Sequence, residues 1–231
     1  MGGSIDLTSA GGDAALSTAG GNINIGNVNG KIVAETSGGN INVGQGKQGV
    51  SVETAGGSIS VRQCANDLSA TTAGGSIEIG DVGGGAVLET AGGGIRLLSA
   101  KGLVKATTAG GGIRLSRLMR GAIAETMAGP IEAEFIGARN SLTDSRFETS
   151  MGDIVVWLPS DVAVTVRAYI EMANGRRIRS DFEGLKITSE GGQYGPREIY
   201  GDGALNGGGP VLKMQTTNGN IEIRKGSSGK R

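Results

Sequence analysis

At 231 residues the chain is long enough for one or two globular domains. Its 45 glycines come with only 4 prolines and no Gly-X-Y period, which excludes collagen, and apolar residues alternating with polar ones exclude general disorder. Net charge is zero, with 22 bases against 22 acids, so no global field draws the chain to nucleic acid or anionic lipid; the lack of any histidine excludes histidine-ligated metals and Ser-His triads.

The opening, Met1-Gly2-Gly3-Ser4-Ile5, has neither a basic n-region nor an apolar h-region, so it is not read as a signal peptide. It enters a repeat in mid-phrase, and the expectation is that Met1 begins a fragment. No stretch approaches the roughly 18 apolar residues of a membrane helix. Seven threonines then fall on an eighteen-residue ladder: Thr18, Thr36, Thr54, Thr72, Thr90, Thr108 and Thr126. Nearly all open the phrase Thr-(Ala/Ser)-Gly-Gly-x-Ile-x-(Ile/Val/Leu). A short fixed period is the mark of a solenoid, in which each repeat stacks on the last.

Within one coil, Ser76 to Ile79 and Ala86 to Glu89 alternate polar and apolar, which predicts two half-buried strands with Gly-rich corners. Stacked coils pair in parallel about 4.8 Å apart. The fold class expected is all-β, a single-stranded parallel β-solenoid with two-strand coils. The apolar spacing shows no six-residue subperiod, against a three-faced helix, and the crossover rule favours a right-handed coil. Parity turns inward the ranks that begin at Ile23, Ile25, Ile32 and Ala34, each repeated at every eighteenth position. The threonine ladder turns inward too, where hydroxyls can satisfy turn amides. Glycines are read as corners that reach positive φ. Glu35, Glu53, Glu89 and Glu125 lie outside, and Asn22 and Asn24 lie beneath Asn40 and Asn42 in the manner of an amide ladder.

Gly44-Gln-Gly-Lys-Gln-Gly49 matches a dinucleotide fingerprint, but a strand follows where a helix is needed, so it reads as a corner. Aspartate is not periodic, against calcium-binding nonapeptide turns. Cys64 reads as a small buried hydrophobe, at the position where other coils carry Val28, Val82, Ala100, Leu118 and Ile136. Neither a cofactor nor a metal is expected. Charge is uneven: residues 1–89 hold eight acids against three bases, and residues 90–124 hold six bases and no acid. Those bases, Arg96, Lys101, Lys105, Arg114, Arg117 and Arg120, form the candidate binding site. Arg96 and Arg114 share a coil position and repel unless an anion or an acid answers them, and Glu78 and Glu132 stand where they can do so. Both readings stay open at this point: solvated charge edging the sheet, or contact with an anionic glycan or lipopolysaccharide.

After Thr126 the spacing lengthens to 23 residues, at Thr149. Strands are expected at Ile154 to Leu158 and Val162 to Tyr169, with Trp157 packed in a core or cap in preference to serving as a sugar-stacking platform. Arg176, Arg177 and Arg179 are expected to pair with Asp181. A polar Gly-rich stretch covers 189–209, and Thr217-Asn-Gly-Asn-Ile restores the repeat phrase. The organisation expected is regular coils over 1–125, wider coils and cap over 126–224, and a disordered tail over 225–231.

Thr-x-x-Gly-Asp-Ile (149–154), Leu158-Pro159, Asn-Gly-Arg-Arg-Ile-Arg-Ser-Asp-Phe (174–182), Leu205-Asn-Gly-Gly-Gly (205–209) and the closing Thr217 phrase occur in that order. In this the chain resembles a bacterial family of β-strand repeats classed as adhesins and otherwise as a domain of unknown function. The resemblance spans essentially the whole chain. It implies a secreted or envelope-anchored β-solenoid, extracytoplasmic in the periplasm or at the cell surface, with no catalytic residues. The function expected is a non-catalytic adhesin-like surface or structural module, with envelope glycan, lipopolysaccharide or a cell-surface protein as partner. Two alternatives are a bactofilin-like scaffold that self-associates end to end, and a polysaccharide-acting β-helix enzyme using Glu132 and Glu134.

Overall fold

Branched aliphatics alternating with polar residues make strands wherever the repeat runs, and short Gly-rich corners turn one strand into the next. In the computed structural model, which describes residues 2–191 and 197–226, the result is an all-β solenoid with no helix among the described residues. The chain divides into two units, Met1–Gly111 and Gly112–Arg231.

In the first unit each coil contributes one strand to each of two sheets. The first sheet holds β1 (Ile5–Ala10), β3 (Ile23–Val28), β5 (Ile41–Gly46), β7 (Ile59–Cys64), β9 (Ile77–Val82) and β11 (Ile95–Ala100), paired in that order. The second holds β2 (Ala14–Thr18), β4 (Ile32–Thr36), β6 (Val50–Thr54), β8 (Leu68–Thr72), β10 (Ala86–Thr90) and β12 (Val104–Thr108). All pairs are parallel and the register advances one repeat per coil, Ile5 facing Ile23, Ile23 facing Ile41 and Ile77 facing Ile95. From Ile23 onward all four inward ranks are buried, at no more than 4% exposure. Cys64 lies in its expected rank beside Val82; its Sγ is 3.3–3.4 Å from the carbonyls of Gln48, Asn66 and Asp67, and burial pushes the thiol pKa up.

From Thr36 onward the threonine ladder is buried, and through Thr108 it carries two bonds per coil. Thr54 Oγ1 donates to the Gly39 carbonyl of the preceding coil (2.8 Å) and accepts from the Gly57 amide (3.3 Å), and Thr36, Thr72, Thr90 and Thr108 repeat the pattern. This corrects the reason for the glycines. None in this unit has positive φ. Gly57 is needed because an added Cβ would stand 2.0 Å from the Gly39 oxygen, the atom that accepts the Thr54 hydroxyl. Close stacking, not corner dihedrals, selects glycine there.

The second unit opens with β13 (Ile113–Leu118), β14 (Ala122–Ala128), β15 (Ile131–Phe135), β16 (Ser145–Met151) and β17 (Ile154–Leu158). Thr126 faces Thr149 as the 23-residue spacing requires, and the extra residues form the loop 136–144. A register shift between Leu115 and Leu118, where Arg117 takes φ 47°, sets Phe135 opposite Leu118. Phe135 therefore takes the buried place expected of Ile136, which is 43% exposed. Its ring packs edge-on against Phe147, centroids 6.2 Å apart.

Beyond β17 the order along the chain and the order in space part company. The remaining strands are β18 (Val164–Ile170), β19 (Ile178–Ser180), β20 (Lys186–Gly191), β21 (Arg197–Leu205), β22 (Val211–Asn218) and β23 (Ile221–Lys225). In the sheets they run β14-β16-β22-β18-β21-β20 and β13-β15-β17-β23-β19. The last coil in sequence, β22 with β23, is thus slotted against β16 and β17, and β18 with β19 lies outside it. Of the stretch 189–209, residues 192–196 lie outside the described residues; on either side of them β20 pairs antiparallel with β21, which pairs antiparallel with β18. The ladder residue of the last coil is Thr216, not Thr217: Thr216 is fully buried and its Oγ1 donates to Gly152 O at 3.0 Å. Of the expected tail, Lys225 belongs to β23, and residues 227–231 lie outside the described residues.

This insertion overturns the expected pairing of the Arg176 cluster with Asp181. Arg176 Nε donates to Asn218 Oδ1 (3.1 Å), Arg179 stands 3.9 Å from Glu222, and Asp181 accepts from the Lys225 amide (3.1 Å). The inserted coil reaches all of them first. The motifs behind the family resemblance have mechanical roles: Asn206, at φ 50°, donates to the carbonyls of Ser160 (3.1 Å) and Val162 (2.7 Å), and Phe182 lies under the Lys225 ammonium.

Candidate functional site

The six bases divide between the units. In the first, Arg96 projects from the outer face of β11 beside Glu78 in register, Lys101 occupies the turn that follows, and Lys105 on β12 pairs with Glu89 at 2.9 Å. In the second, Arg114 on β13 pairs with Glu132 at 2.9 Å, Arg117 holds the bulge, and Arg120 lies exposed in the next turn. Acids therefore answer Arg114 and Lys105 directly, Glu132 as its position suggested and Glu89 from one residue outside the basic stretch. Both ion pairs are exposed and worth roughly 0.2–1 kcal/mol each. Arg96, Lys101 and Arg120 form no ion pair within 4.0 Å among the described residues.

A concave site lies elsewhere in the first unit. The outer face of β1, β3, β5 and β7 carries a groove of about 540 Å³. One wall is the rank Asp6, Asn24, Asn42, Ser60; the other side is Thr8, Gly26, Gly44, Arg62. At that second rank the inward–outward alternation slips, two residues instead of one separating the inward Ile25 and Val28. Gly26 lets the coils stack there, since an added Cβ would be 2.1 Å from Thr8 O. Along the wall Asn24 Nδ2 donates to Asp6 Oδ1 (2.7 Å) and Asn42 Nδ2 to Asn24 Oδ1 (2.9 Å), the expected amide ladder. Each ladder amide keeps a second N–H and a second oxygen lone pair for a ligand. Next to it, Asn22 and Asn40 side chains accept the amides of Asn40 and Ser58, which locks one coil to the next.

The second unit displays aromatic residues on its outer faces. Ile154, Val156 and Leu158 fill the core, so Val155 and Trp157 face outward, and Trp157 is partly exposed rather than packed in a core or cap. In register it lies between Glu134 and Arg224. On the other sheet Tyr169 faces Tyr200, ring centroids 5.0 Å apart, and the Tyr200 hydroxyl donates to Glu198 at 2.5 Å. That hydrogen bond to a carboxylate pushes the Tyr200 pKa well up.

Glu132 and Glu134 alternate outward along β15, one bound to Arg114 and the other 8% exposed. Among the described residues no group of three or more Asp, Glu, Cys or His side chains is placed to hold a metal ion. Among the described residues no helix is long and apolar enough to cross a membrane. The amide wall was readable from the asparagine spacing; the facing side of the groove was not, because Thr8, Gly44 and Arg62 share no residue type. No family model, curated protein or solved structure matches this chain.

Proposed function

We propose that this chain is a non-catalytic β-solenoid that acts as an adhesin-like binding surface of the bacterial envelope, outside the cytoplasm, with envelope glycan or lipopolysaccharide as its partner. The groove over β1, β3, β5 and β7 carries this reading. It offers amides, a carboxylate, hydroxyls and one guanidinium in a shallow trough crossing successive coils. Strand spacing of about 4.8 Å repeats those groups at an interval close to the length of one hexopyranose unit, which suits a polymer lying along the stack. Arg96, beside Glu78 but in no ion pair within 4.0 Å, and Lys101 add positive charge to the same unit, and Arg120 does so in the second. Lys105, Arg114 and Arg117 contribute less, the first two being neutralised by acids. The motif resemblance supports the envelope setting.

The enzyme alternative needs a pair of carboxylates across a substrate cleft, and Glu132 is committed to Arg114. The scaffold alternative needs sheet edges that accept another copy. β20, the last strand of its sheet, is exposed throughout and carries Lys186 and Glu190, the charged-edge pattern that opposes strand addition.

Retention on lipopolysaccharide-coated beads tests the proposal. Asn24→Leu with Asn42→Leu should abolish retention, Arg96→Glu with Lys101→Glu should weaken it, and salt should weaken it in the unmodified protein. Retention unchanged by both double substitutions, in folded protein, would overturn it.

A further inference from the structure

Arg62 closes one end of the groove on β7, and it is the only charged residue of its rank there, after Thr8, Gly26 and Gly44. Gly80 takes the same position on the next coil, so no side chain of the rank covers it. The residue is exposed, and its guanidinium forms no ion pair within 4.0 Å and no side-chain hydrogen bond among the described residues. The acids on β9 are placed otherwise: Glu78 stands in register between Ser60 and Arg96, and Asp81 accepts the Ser99 hydroxyl. All five N–H donors of Arg62 therefore remain for a ligand, in the fork that matches a carboxylate.

The groove is electrically polar along its length. Its one carboxylate, Asp6 on β1, lies three strand spacings from Arg62, about 14 Å. The wall between them is uncharged and open to hydrogen bonding. Asn42 keeps its oxygen and one N–H, Asn24 keeps one N–H, and the Ser60 hydroxyl is wholly unengaged among the described residues. A single guanidinium balances one carboxylate, whereas a phosphate monoester brings nearly two charges. Asp6 opposes any further anion at the far end.

We propose that Arg62 is a subsite for one uronate residue of a glycan, its carboxylate held at the β7 end while uncharged sugars run over Asn42 and Asn24 towards Asp6. The inference rests on the glycan-binding reading of the groove and adds to it an acidic group and a direction of lay.

Calorimetric titration of the full chain tests it with a panel of tetrasaccharides. Each carries three neutral residues (glucose, galactose or N-acetylglucosamine) and one uronate at either end. The controls are their carboxyl-reduced forms, 6-phosphate forms and a uronate homotetramer. At least one single-uronate member should bind, and its carboxyl-reduced form should bind about tenfold more weakly, the size of one charge-assisted contact. Arg62→Gln should no longer distinguish those two, and Arg62→Lys should keep part of the preference. The homotetramer should bind more weakly than the single-uronate member and gain on Asp6→Asn. A folded Arg62→Gln protein that keeps the preference, tighter binding of the phosphate form, or no single-uronate member bound above its reduced form would each overturn the subsite. Bead retention lost on Asn24→Leu with Asn42→Leu would still stand in those cases, so failure here is distinguishable from failure of the groove itself.

Discussion

The two units solve the same stacking problem by different means. In the first, every coil repeats the last, positive-φ residues are not used, and glycine serves to let one backbone pass close over another, as Gly57 does over Gly39. In the second, the chain leaves the stack after β17, builds β18 to β21 one coil further out, and returns to fill the gap with β22 and β23. That excursion needs turn chemistry, and most of the positive-φ residues lie there: Asn206 and glycines such as Gly175, Gly184, Gly207 and Gly208. A serial repeat is specified by rank, one position at a time. An interleaved one is specified by the few side chains that fasten its turns.

Substitutions can break or sharpen this contrast. The largest effect is expected from Ile77→Asp, which buries an unpaired carboxylate in a fully covered rank and should cost several kcal/mol, unfolding the first unit in a thermal melt. Asn206→Ala should cost about 1–3 kcal/mol through two lost hydrogen bonds to the 160–162 turn. Asn206→Gly keeps the backbone dihedral and should lose less, a difference that urea titration resolves. Thr54→Val removes the bond to the Gly39 carbonyl and the one from the Gly57 amide and should cost about 1–3 kcal/mol, and Thr72→Val should cost the same, because ranks are equivalent along the first unit. Unequal losses at these two threonines would break the picture of equivalent coils. The smallest effect belongs to Asn24→Asp, which sets a carboxylate beside Asp6 on the outer face; a loss below about 1 kcal/mol is expected, relieved by added salt.

Where the repeat is strict, burial was legible residue by residue: the ranks through Ile23, Ile25, Ile32 and Ala34 are buried where parity put them. Three failures have physical causes. Ile154 to Leu158 is apolar at every position, so alternation could not say which face Trp157 takes. Thr216 and Thr217 are adjacent, and only the five-residue offset to the buried Ile221 picks the ladder member. The phrase ending at Ile223 looks like any other coil, so nothing local tells it to pair with β16 and β17 instead of following β18. Of the candidate site, the charges were visible and their partners partly so, since Glu132 shares a coil position with Arg114 whereas Glu89 reaches Lys105 across strands. The groove lies where the apolar spacing lengthens from two residues to three, as from Ile25 to Val28, a break that was visible but carries no mark of concavity.

Backbone amide exchange on the intact protein tests the interleaved order most directly. Strands at the end of a chain and at the edge of a stack exchange early. Here β22 is flanked on both sides, by β16 and β18, and β23 by β17 and β19. Leu212, Met214, Ile221 and Ile223 should therefore exchange as slowly as Phe147 and Val156, and β20 should exchange fastest of its sheet. Rapid exchange across 211–225, with 164–170 protected, would contradict the insertion and restore a stack laid down in simple chain order.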